Sequence, residues 1–100
     1  MLVDLRTLAR RHAPSLPVLP HLAESALATW RGRMVNEHTS SRVFEGLARQ
    51  LAAAGLEDEI VAECRGFADE ERRHGVLCGA VVEALGGEAR FEAPKQRDFP

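Results

Sequence analysis

Residues 69–74 read DEERRH, five charged side chains and an imidazole, inside the longer stretch GFADEERRHGVLCGAVVEALGG over 66–87. Stepping by four and three from Ile60 gives Cys64, Phe67, Glu71, His74, Cys78, Val81 and Leu85. That is an apolar stripe at heptad spacing, broken only at its centre. The reason for a carboxylate and an imidazole where the pattern asks for Leu decides the reading of the whole chain.

Outward from this stretch, Gly86-Gly87 marks a helix stop, and Glu57, Asp58 and Glu59 favour a helix N-terminus. With no Pro between them, a helix is predicted over 57–85. Upstream, Gly55 suits a left-handed cap and Pro20 suits the first residue of a helix, so a second long helix is predicted between them. The short connector around GLEDE forces the two helices antiparallel and side by side. The first helix carries its own stripe, Trp30, Met34, Glu37, Ser41, Phe44, Ala48 and Leu51. Glu37 stands eighteen residues before Gly55 and Glu71 sixteen after it, roughly 24 to 27 Å from the turn at ~1.5 Å per residue. Glu37, Glu71 and His74 are therefore expected to converge between the helices.

The predicted class is all-α, a long antiparallel two-helix hairpin with a short N-terminal amphipathic helix. Residues 2–11, LVDLRTLARR, place Leu2, Leu5 and Leu8 on one side, and the Pro-punctuated APSLPVLP follows. Three segments result: 1–19, amphipathic helix and Pro-rich linker; 20–87, the hairpin; 88–100, an extended or disordered tail. At 100 residues, 45% hydrophobic and with a net charge of -2, the chain is one domain near the lower limit for a self-sufficient core. The charge balance argues against nucleic acid, no apolar run reaches the ~20 residues of a membrane span, and a cytoplasmic address is expected. Cys64 and Cys78, fourteen residues apart on one helix, should lie ~21 Å apart and be free thiols that fill the seam.

Burying unpaired carboxylates costs several kcal/mol each, a large share of the roughly 5 to 15 kcal/mol that separates folded from unfolded chains. No Lys or Arg occupies either stripe to offset it. Metal is the better compensation: Glu71 and His74, at i and i+3, share a helical face opposite Glu37, an arrangement the di-metal carboxylate bundles use. One copy offers two carboxylates and one imidazole; two copies offer four and two, enough to hold two divalent ions in a neutral core. The ligand count and the unpartnered stripe both ask for a second helix pair, either a second copy of this chain or a pair missing from it.

NEHTSSRVFEGLARQL followed by GFADEERRHGVLCGAVVEALGG resembles the first helix pair of the ferritin-like superfamily, closest in style to rubrerythrin-type di-iron proteins. The resemblance covers about residues 21–87 and rests on Glu37 and on the Glu-x-x-His of Glu71 and His74. It implies that these three ligate iron, two ions per completed bundle, or manganese, and that the centre oxidises ferrous iron or carries out oxygen or peroxide redox chemistry. It also implies a second pair repeating the Glu and the Glu-x-x-His, from another copy or from a longer protein of which this is an N-terminal half inactive alone. Carboxylates would bridge and terminally ligate the metals, with Ser41 hydrogen-bonded near Glu37.

Other readings differ in class. A polar layer that sets helix register would make this a metal-free dimerisation module. Nucleophilic catalysis by Cys64 or Cys78 with His74 is a weaker third. Glu45, Glu63 and Glu70 sit beside stripe positions and are expected in solvent, with an extra-ligand or iron-entry role as the alternative. His38 lies about 100° around the helix from Glu37 and is expected to be no ligand. Arg6, Arg10 and Arg11 are expected to be a solvated face, with docking or a membrane-surface role as the alternative.

Overall fold

The computed structural model describes residues 1–16 and 19–95. Its elements run β1 (Leu2–Asp4), α1 (Arg6–Arg11), α2 (Pro20–Ala53), α3 (Asp58–Ala84) and β2 (Arg90–Glu92). The architecture is mostly helical, with two long helices lying against each other in a body of 53 × 24 × 20 Å.

Local chemistry sets the helix ends. Pro20 opens α2 after an extended Leu19, where its missing N–H costs nothing. Gly55, at φ 80°, closes it: its N–H reaches the Ala52 carbonyl at 3.1 Å, and the Leu56 N–H reaches Leu51 at 3.1 Å. Those two bonds form a Schellman motif, whose left-handed residue is best supplied by glycine. The end of α3 repeats it, with Gly86 at φ 90° bonding Glu83 and Gly87 bonding Val82. Asp58 and Glu59 place negative charge in the first turn of α3, where the exposed N–H groups favour it.

The packing face of α3 differs from the predicted stripe. Val61, Cys64, Ala68, Gly75, Gly79 and Val82 are buried, whereas Ile60 and Phe67 keep 44% and 45% of their surface in water. Heptad counting followed the large apolar side chains, but α2 packs over the small ones. A Cβ on Gly75 would sit 3.4 Å from the His38 backbone nitrogen, which measures how closely the helices approach there. On α2 the buried positions are Met34, Ser41 and Ala48, as the stripe predicts. Ile60, Phe67 and His74 therefore form a flank of the hairpin that this chain leaves open.

The N-terminal segment departs further from expectation. Its helix begins at Arg6 and not at Leu2, because Leu2–Asp4 pairs antiparallel with Arg90–Glu92, Val3 opposite Phe91. Val3 and Phe91 point inward and their neighbours outward, the alternation of a half-buried strand. The Leu5 N–H adds a bond to the Ala89 carbonyl at 2.8 Å. The expected tail over 88–100 thus contains a strand; its residues 96–100, and 17 and 18 of the linker, lie outside the described residues.

This cap encloses the larger core, in which Val3, Ala9, Met34, Val82, Ala89 and Phe91 are buried. Burial of Met34 and Val82 stabilises the fold by roughly 1.5–3 kcal/mol each. Glu83, its side chain only 8% exposed, ties the cap to α3 by accepting bonds from Arg10 Nε and the Ala89 N–H, both at 2.6 Å. A smaller cluster of Ala48, Val61 and Cys64 holds the turn end of the hairpin.

Candidate metal centre

Glu37 projects from the middle of α2, and Glu71 and His74 from one face of α3. One ligand atom from each lies within 4.8 Å of the others. His74 Nδ1 stands 3.8 Å from Glu37 Oε2 and 3.7 Å from Glu71 Oε1. The convergence expected from helix heights is present, and the i, i+3 spacing places Glu71 and His74 side by side.

The expected burial is absent. The side chains of Glu37, Glu71 and His74 are 35%, 24% and 52% exposed, because they lie on the open flank and not inside the helix pair. A single chain therefore bears only part of the desolvation cost that motivated the metal argument. Charge repulsion remains: Glu37 accepts a hydrogen bond from the protonated Glu71 carboxyl and, with partial burial, pushes the Glu71 pKa above the ordinary carboxylate range. His74 opposes that shift and does not cancel it.

No guanidinium relieves the pair. Arg33, one turn from Glu37, stacks over Trp30 with its guanidinium carbon 5.2 Å from the ring centre. Arg72 points to the opposite flank, where it pairs with Glu45 at 3.1 Å across the helices and with Asp69 at 2.7 Å. The donor set fits a divalent cation: oxygen donors with one imidazole suit iron or manganese, and two carboxylates held together against their mutual repulsion gain from a cation between them.

The neighbours take other roles. Ser41 is fully buried and donates to the His38 carbonyl at 2.5 Å one turn back, so its hydroxyl proton serves the helix and not Glu37. His38 turns away from the three and packs edge-on against Phe91, the ring centres 5.6 Å apart, while its Nδ1 lacks a partner. Burial, with Arg42 and Arg72 nearby, lowers its pKa. Cys64 and Cys78 are free thiols. Cys64 donates to the Phe44 carbonyl at 3.3 Å, and burial, then the Glu37 charge, pushes the Cys78 thiol up. A raised thiol pKa is the reverse of what a thiolate nucleophile requires. Glu45, Glu63 and Glu70 are exposed, Glu45 being paired with Arg72. Arg6 and Arg10 bond Asp4 and Glu83, so they anchor the cap and do not form a free basic face.

Sequence reasoning missed the Arg72–Glu45 bridge and the Glu83 anchor. The available signal was a lone carboxylate, Glu83, inside the apolar run AVVEALGG.

Compared with family models, curated proteins and solved structures, the chain gives no match. Among the described residues, no helix is long and apolar enough to cross a membrane.

Proposed function

We propose that Glu37, Glu71 and His74 bind iron or manganese in a site of ferritin-like type, and that the protein oxidises ferrous iron or reduces oxygen or peroxide there. The observation that carries this reading is the meeting of one Glu and a Glu-x-x-His within 4.8 Å on two antiparallel helices. When bound, paired irons supply the two electrons that oxygen or peroxide reduction requires.

This chain's own residues prepare that chemistry. Glu37 and Glu71 concentrate negative charge where a cation would enter, and Glu71 must release its proton for both to ligate. His74 adds a neutral nitrogen donor that limits the total charge. The open flank gives ions and small oxidants access, while Phe44 and Phe67, ring centres 5.6 Å apart, form an apolar wall on the turn side. A cytoplasmic setting, with reduced thiols at Cys64 and Cys78, accords with this reading.

Elemental analysis of protein purified without chelator, then loaded anaerobically with ferrous iron, tests the assignment. Binding should disappear in Glu71→Gln and in His74→Ala, and oxidation of added ferrous iron should fall with it. Unchanged metal content in both variants would favour the metal-free reading, a polar layer that sets helix pairing.

A further inference from the structure

Beside the three candidate ligands, the same flank continues as an apolar trough. Phe44, Leu51, Ile60 and Phe67 line a cavity of about 340 Å³ that opens to water at the turn end of the hairpin. Beyond His74 the periodicity carries the flank on through Cys78 and Leu85. An apolar stripe with a carboxylate-imidazole layer at its centre is a selective surface. An ordinary apolar helix laid over it would bury two carboxylates without compensation.

We propose that the occupant is a second copy of this chain, and that the partner's Glu37, Glu71 and His74 come opposite the first set to form one shared metal site. This rests on the metal reading above. A twofold axis through the polar layer places like layer against like layer and brings apolar flank onto apolar flank, the self-complementarity of an isologous dimer. The charges then close: four carboxylates face two divalent cations, and two imidazoles complete the donor set. The area also suffices. A helix of 27 residues spans about 40 Å, and a face about 20 Å wide covers roughly 800 Å² per partner, the size of a standard stable interface.

The test pairs sedimentation equilibrium with electron paramagnetic resonance of the chain loaded with Mn(II), in wild type, Glu71→Gln and Phe67→Arg. Phe67 is exposed on the flank and is no ligand, so Arg at that position opposes pairing and leaves the hairpin core untouched. Wild type should sediment at twice 11.0 kDa, hold one Mn(II) per chain and give a spin-coupled spectrum. Phe67→Arg should sediment as a monomer and bind Mn(II) at least tenfold more weakly. A wild-type monomer that binds an isolated Mn(II), lost in Glu71→Gln, would leave the metal reading standing and overturn the partner. A dimer that binds no Mn(II), or one indifferent to Phe67→Arg, overturns the shared site. Failure of the wild type to bind Mn(II) or ferrous iron in any state removes the metal reading and this proposal together.

Discussion

Glu37 and Glu71 hold their carboxyl groups together across the helix pair, close enough that Glu37 raises the Glu71 pKa. Their proximity is unfavourable to the metal-free fold and favourable to cation binding. A group whose folded pKa is raised contributes stability that is complete below its unfolded pKa and lost as pH rises through the folded one. Glu71→Gln removes the repelling charge. At pH 7 without metal, that variant should melt above the wild type, and in saturating Mn(II) the order should reverse. Calorimetry with chelator and with Mn(II) reads both; a variant less stable in both conditions would show that Glu71 serves the fold and not a site.

Glu83 behaves in the opposite sense. Burial pushes its pKa up, but the bonds from Arg10 and the Ala89 N–H outweigh burial and leave it below the usual carboxylate value. Its contribution is present above the unfolded pKa and lost as pH falls through the folded one. Glu83→Ala strands two donors beside the cap and should cost about 2 kcal/mol at pH 7. Urea titrations at pH 7 and pH 3 should show the difference from wild type shrinking at the lower pH.

Gly79 and Gly66 occupy the same helix and should respond oppositely to alanine. A Cβ on Gly79 would lie 3.0 Å from the Ala89 Cβ and 3.3 Å from Met34 Sδ, whereas nothing lies within 4 Å of one on Gly66. Gly79→Ala should destabilise by about 1–3 kcal/mol through overpacking. Gly66→Ala should stabilise by about 0.5–1 kcal/mol, because an exposed helical Gly loses more chain entropy on folding than Ala. Chemical denaturation of both variants separates the two effects.

Asp4, which accepts bonds from the Arg6 side chain and backbone N–H, is held down to about 2. Asp4→Asn should loosen the start of α1 near neutral pH and have no effect at pH 1, where both forms are uncharged. Amide hydrogen exchange at Arg6 to Ala9 provides the readout; equal protection at neutral pH would show that the strand pairing alone holds this segment.

The sequence by itself determined the two long helices, their ends and the meeting of three candidate ligands. Pro20, Gly55 and Gly86 act within a few residues of themselves, and helical rise alone sets Glu37 level with Glu71 and His74. Tertiary structure decided which face of α3 meets α2. Side-chain size pulls the heptad count toward Ile60 and Phe67, while close approach of two backbones requires Ala68, Gly75 and Gly79. A rotation of less than one residue's angle therefore moved His74 from the expected interior to an open flank. The strand pair was equally out of reach, since residues 2–4 and 90–92 have meaning as strands only when a chain's opposite ends meet. Local spacing encodes helices and their heights, and contacts between distant segments decide which surfaces become core.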